Sequence, residues 1–436
     1  MKSDLFNRWT RLRNDPALAN FSWLTADKLI RLSLSLVVGT WMARHLGPTE
    51  YGTLNYGLAV TAILAIIPTL GLDLIVRREL VQHPERRGVL LGTTFFLKLG
   101  AGFATYAATL GGVLWLEPDR AARFVIIMTA LMLVQHAVMT IDVHFQAELQ
   151  ARYSVWAQDL AFALSSLGRV VLILAGARLE AFVLMLLLDL PVTSLLLVWF
   201  YRRTGHCLAE WSWDGATAWR LLAEAWPLWL GGIAATIFLR ADQVLLAHLG
   251  TAPEVGRYAA AYRLFELCAF LPVSLAVSLA PGLLAARSQG AGVYEEKLRR
   301  FFNLNAQLAW ALVLPGIVLA PIVVRVLYGR EFGASTPIFA VLLLGFPAMA
   351  LGVARQQFLV NEGYTGLQLA MTSAGMALSL LLNWALIPLW GGLGAAVAST
   401  TAHLVAEVLL SFAWARTRAV ARWQLRALVG FWFDKP

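Results

Sequence analysis

The sequence predicts an all-α polytopic membrane protein, with about twelve transmembrane helices in two six-helix lobes around a central cavity. Three observations carry that reading. Hydrophobic residues make up 59% of the 436 and charged residues only 14%, with a mean hydropathy of +0.67. A soluble domain is about 45–50% apolar and about 25% charged, so too little polar surface exists here to cover several water-facing domains. Apolar runs of about 20 residues, the length that crosses hydrocarbon, recur along the whole chain with short connectors. A motif that follows the first run also returns after the seventh.

The runs centre on Ser33, Ile63, Ala104, Leu133, Ser165 and Leu188, then on Ile237, Phe270, Leu312, Leu343, Ala377 and Val405. They divide the chain into an interfacial N-terminal segment (1–21), an N-lobe (22–201), a connector (202–224), a C-lobe (225–415) and a basic tail (416–436). In the first segment Phe6, Trp9 and Leu12 share one helical side while Arg8 and Arg11 lie away from it, as suits a helix in the headgroups. The first run is too long for a signal-peptide core and no cleavage pattern follows it, so it is expected to remain as a span. The net charge of +9 would raise nucleic acid as a partner for a soluble chain. Here the bases stand at the ends of apolar runs, so a lipid bilayer is expected and nucleic acid is not.

Orientation follows from the same bases. With the N-terminus inside, the cytoplasmic segments hold 22 Lys and Arg, among them Arg77, Arg78, Arg86, Arg87, Arg202 and Arg418, against 7 on outer connectors such as Arg44 and Arg120. Both termini are therefore expected in the cytoplasm of a bacterial inner-membrane protein. The two cysteines, Cys207 and Cys268, form no spaced framework, and neither a disulfide nor a metal site is expected. No metalloprotease, nucleophile-elbow or phosphate-loop motif occurs, so no enzyme and no cofactor is expected.

The repeat pairs His45-Leu46-Gly47-Pro48-Thr49-Glu50-Tyr51-Gly52 with His248-Leu249-Gly250-Thr251-Ala252-Pro253-Glu254-Val255-Gly256. One inserted residue aligns Glu50 with Glu254 and Gly52 with Gly256. Pro68 and Pro272 then fall in register, each sixteen residues further on. Six spans per half place both halves in the membrane in the same sense, with a cavity between them, which is transporter architecture. Pro68 and Pro272 are candidate hinges, because proline removes a helix hydrogen bond.

Three stretches carry a family resemblance: Ala43 to Gly52, Leu70-Gly71-Leu72-Asp73 running into Arg77-Arg78-Glu79-Leu80, and Arg240-Ala241-Asp242-Gln243-Val244-Leu245-Leu246. Together they resemble the oligosaccharide flippase (polysaccharide biosynthesis membrane protein) family of the multidrug/oligosaccharidyl-lipid/polysaccharide exporter superfamily. The resemblance implies a flippase that moves undecaprenyl-diphosphate-linked oligosaccharides to the outer leaflet for O-antigen, capsule or exopolysaccharide synthesis. It also implies polysaccharide polymerase and glycosyltransferases as working partners, and leaves room for a proton or sodium coupling ion. Some relatives, including lipid II flippases, have fourteen spans, so the count of twelve argues against lipid II as the substrate.

An anionic diphosphate head needs counter-charge inside the membrane. A charge at mid-bilayer costs about 2.5–3.5 kcal/mol on insertion scales, so such residues usually face a substrate path. Arg31, Arg240, Arg263 and Lys28 are accordingly the expected substrate-binding set, with Asp27, Asp242 and Glu266 as coupling or pairing acids. The competing arrangement is structural: Asp27–Arg31 at i, i+4 and Arg263–Glu266 at i, i+3 could neutralise themselves, whereas Arg240 and Asp242 need partners on other helices. Lys98 is expected to snorkel toward headgroups. Arg169 lies deep in the fifth run with no acid one turn away. Two other functions remain open. A cation-coupled multidrug exporter needs an anionic cavity, and a membrane glycosyltransferase or polymerase needs a substantial outer loop.

Overall fold

The computed structural model describes the backbone of residues 16–430, and the side chains of residue 31 and of residues 33–429. Every regular element among the described residues is helical. In chain order these are α1 (Pro16–Thr69), α2 (Leu72–Gln82), α3 (Arg87–Leu116), α4 (Arg120–Thr129), α5 (Met132–Gln135), α6 (Thr140–Ala147), α7 (Arg152–Leu174), α8 (Leu179–Leu187) and α9 (Asp189–Arg203) in the first half. The second half has α10 (Gly215–Leu249), α11 (Ala252–Gln289), α12 (Ala291–Tyr328), α13 (Ser335–Asn361), α14 (Thr365–Glu407) and α15 (Arg418–Gly430).

Among the described residues nine helices are long and apolar enough to cross a membrane, or ten if the bent pair α4–α5 and α6 is one span. Two of them are too long to be single crossings. Ser33–Gln82 has 50 residues and Thr365–Phe412 has 48. At 1.5 Å per residue each would run about 70 Å, more than twice the hydrocarbon thickness. Each is broken by a glycine that leaves helical geometry, Gly47 (φ 69°) in α1 and Gly391 (φ 55°) in α14. Positive φ is a conformation that glycine adopts without Cβ strain. The sequence places two apolar runs in each of these stretches.

Local chemistry fixes the helix starts around the middle of the chain. Asp214 caps α10, accepting from the Thr217 hydroxyl at 2.5 Å and its N–H at 2.9 Å; these donors hold its carboxyl below the ordinary range. Thr251 and Glu254 form a reciprocal capping box at the start of α11. The expected hinges differ from each other. The chain turns through Leu70 and Gly71 immediately after Pro68, whereas α11 runs on through Pro272.

The core shows how the halves meet. One buried cluster draws on both, with Met42, Leu46 and Tyr51 from the first half packed with Val255, Tyr258 and Phe332 from the second. Two further clusters do not bridge the halves in this way. One holds Leu72, Leu90, Phe145 and Phe200 of the first half, joined by Leu221 and Ala225 from the start of α10. The other holds Leu283, Phe301, Leu351 and Val420, all of the second half. The halves are thus welded at the end that carries Gly47 and Gly250, and keep separate cores at the other.

Candidate functional site

Against the welded end lies a cavity of about 340 Å³, lined by α1, α7, α8, α10, α11 and α12. Four charged residues line it: Arg169, Arg240, Arg263 and Glu266. Three guanidinium groups against one carboxylate leave an excess of two positive charges. The polar lining continues with Ser35, Asn55, Gln243, Tyr51, Tyr262 and Tyr328.

Each arginine is held by a partner on another element. Arg240 on α10 reaches across to Glu266 on α11 at 2.7 Å, with its guanidinium 5.6 Å from the centre of the Tyr262 ring. Arg263 donates to Ser35 Oγ at 2.5 Å, which links α11 to α1 across the lobes, and meets the second Glu266 oxygen at 3.4 Å. Glu266 therefore spaces two arginines. The local Arg263–Glu266 pair exists, but the shorter contact goes to Arg240. Arg169 on α7 donates to Ser165 Oγ at 2.5 Å and stands 3.5 Å from Asp189. Its Nε is buried with no hydrogen-bond partner. The arginine contributed by the first half and the two contributed by the second face one space.

The other expected residues lie elsewhere. Arg31 is absent from the cavity lining; it pairs with Asp159 on α7 and lies over the Phe162 ring at 5.8 Å. Asp242 is buried beside the cavity, accepting from the Tyr258 hydroxyl, from Ser399 Oγ at 3.2 Å and from the Gln243 N–H at 2.7 Å. The side chains of Asp27 and Lys28 fall outside the described residues. Lys98 does not snorkel: it is 1% exposed and paired with Asp73, because a buried ammonium is held by a nearby carboxylate. Arg169 belongs in the cavity although sequence reasoning left it off the expected set. The available signal was the one that singled out Arg240, an arginine deep in an apolar run.

This helical fold around a charged cavity is similar to that of solved membrane transporters. A multidrug resistance MATE family transporter of the MOP superfamily, in its inward-facing conformation, matches with a TM-score of 0.76 at 16% identity, covering 91% of this chain and 96% of that one. The lipid II flippase MurJ in an inward closed conformation matches with a TM-score of 0.74 at 11% identity, covering 94% and 93%. At these identities the likeness is one of fold. The sequence itself carries the family: the model described as "Polysaccharide biosynthesis protein" matches residues 17–284. The chain belongs to the polysaccharide biosynthesis protein family and is a multi-pass membrane protein. "Probable flippase AglR" of Haloferax volcanii is 24% identical over 254 residues, which are 56% of this chain and 51% of that protein. The chain thus matches about half the length of that curated relative.

Proposed function

We propose that the chain is a flippase for a lipid-linked oligosaccharide whose anionic diphosphate rests among Arg169, Arg240 and Arg263. The carrying observation is the charge of the cavity: three arginines and one glutamate, contributed by both lobes. Arginine stays charged and presents a planar fork of donors that matches phosphate oxygens in a bidentate way. A hydrated, anionic head cannot cross hydrocarbon unaided, and a membrane arginine without partner or purpose is costly. Family membership and the flippase relative support the same reading.

With both termini cytoplasmic, as the excess of inner bases favours, the welded end is the outer one and the separate cores lie on the inner side. The head then enters from the cytoplasmic leaflet. Rocking of the lobes opens the opposite end, by alternating access. The substrate class that fits is an undecaprenyl-diphosphate-linked unit, handed on to a polymerase at the outer face of a bacterial inner membrane. The cationic cavity disfavours a cation-coupled drug exporter, whose substrates carry the same sign as its lining.

Deletion of the gene tests this reading. Surface polysaccharide should disappear while the lipid-linked unit accumulates in the inner leaflet. Normal polymer together with a changed drug-resistance profile would transfer the assignment to the exporter.

A further inference from the structure

We propose that His144, Glu148 and His206 form a binding site for a divalent transition metal ion, zinc by its ligand chemistry. It lies at the end of the first half that is remote from the weld. This departs from the sequence reading, which expected no metal, and it is independent of the transport function above.

The three side chains come from two distant stretches. His144 is on α6, Glu148 follows that helix directly, and His206 opens the connector after α9. One ligand atom from each lies within 4.8 Å of the others. Glu148 oxygens stand 3.8 Å from His144 Nε2 and 3.9 Å from His206 Nε2. Zinc bonds to imidazole nitrogen and carboxylate oxygen run about 2.0–2.2 Å, which sets ligand atoms roughly 3.3 Å apart around a tetrahedral centre. Closing onto an ion therefore asks from about half an ångström, for the glutamate contacts, up to about 1.5 Å, for the widest separation in the group, of side-chain movement. Two imidazoles and a carboxylate are a donor set that suits zinc and its first-row neighbours.

Two observations point to a cation beyond the clustering itself. The His144 side chain is 1% exposed, and its Nε2 is buried without any hydrogen-bond partner. A buried imidazole nitrogen left unpaired is unusual, and this one faces Glu148. A cationic group also already stands at the cluster. Arg87 Nη1 lies 3.0 Å from Glu148 Oε1 and 3.1 Å from His206 Nε2. Guanidinium can only donate, so this contact requires a lone pair on His206 Nε2, the state in which imidazole ligates metal. Arg87 is about one-third exposed on a long side chain and can turn outward, leaving both the carboxylate and the His206 lone pair to the ion.

A metal here would fasten the 202–224 connector to the end of α6. That connector feeds α10, the helix that carries Arg240.

Zinc titration of the full chain, purified in detergent with any affinity tag removed, tests the site. One equivalent should bind at micromolar concentration. His206→Ala and Glu148→Gln should each weaken binding by at least about tenfold, as loss of a ligand does. Arg87→Gln should tighten it, because the competing cation is gone. His83→Ala, at the exposed His83–Glu85 pair, should leave it unchanged. Since His144 is buried and its replacement can disturb folding, its role is read in the intact protein by paramagnetic resonance of bound copper(II). Two nitrogen ligands are expected, and one in His206→Ala. Absence of stoichiometric binding overturns the proposal. So does wild-type affinity in both His206→Ala and Glu148→Gln, or a single-nitrogen copper signal in the intact protein.

Discussion

Gly52 and Gly256, aligned with each other in the sequence repeat, pack backbone to backbone across the joint between the lobes. A Cβ on Gly52 would run into the Ala252 carbonyl oxygen and the Gly256 nitrogen, and one on Gly256 into the Pro48 carbonyl oxygen and the Gly52 nitrogen. The contact admits hydrogen only, and it sits where the shared core welds the halves. Small residues let membrane helices approach closely, which is where packing replaces the hydrophobic drive of water.

Gly256→Ala should therefore lever the welded end apart. Overpacking of this kind costs about 1–3 kcal/mol. Thermal unfolding in detergent should show a lowered midpoint, while Gly282→Ala, where an added Cβ meets nothing within 4 Å, should change it little. An unchanged midpoint in Gly256→Ala would mean that the joint is looser than described.

Arg31 and Asp159 make an ion pair between α1 and α7. If that pair is structural, Arg31→Asp or Asp159→Arg alone should lower the amount of protein in the membrane, and the double exchange should restore it. Immunoblots of membrane fractions measure this. Full protein level with lost transport in Arg31→Ala would instead return Arg31 to the substrate path.

Much of the architecture was legible because it follows from the solvent. Lipid leaves no partner for unpaired backbone, so apolar length alone marks helices, and Gly47 and Gly391 fall between runs already separated in the sequence. Side-chain partnership was less legible. Helical spacing finds partners on one helix, as with Arg263 and Glu266, but Arg240–Glu266, Arg31–Asp159 and Lys98–Asp73 join different elements. The His144–Glu148–His206 group shares that difficulty. His144 and Glu148 stand four residues apart, but His206 is separated from them by the whole of α7 to α9, so no motif spacing announces the three together. Arg240 and Asp242 were read more surely, since residues two apart on a helix face different ways and each had to find a partner elsewhere.

Orientation yields a prediction of its own. Single cysteines at Arg202 and Arg418 should resist an impermeant thiol reagent in intact cells, and cysteines within 117–123 and 325–335 should react. The excess of 22 inner bases over 7 outer ones sets this expectation. Labelling of Arg202→Cys from outside would invert the topology, and with it the side on which the separate cores lie.

Arg169, Arg240 and Arg263 are proposed to hold a diphosphate in one cavity. The most direct test is flipping of a fluorescent undecaprenyl-diphosphate sugar by the purified protein in liposomes, scored by quenching of the exposed leaflet. Arg240→Ala and Arg263→Ala should each reduce the rate at least about tenfold, the loss expected when a charge-assisted contact worth roughly 1.5–3 kcal/mol is removed. Arg→Lys variants should keep an intermediate rate, because charge survives while the bidentate fork is lost. Wild-type rates in both alanine variants, with the protein reconstituted in equal amount, would show that these arginines do not hold the diphosphate.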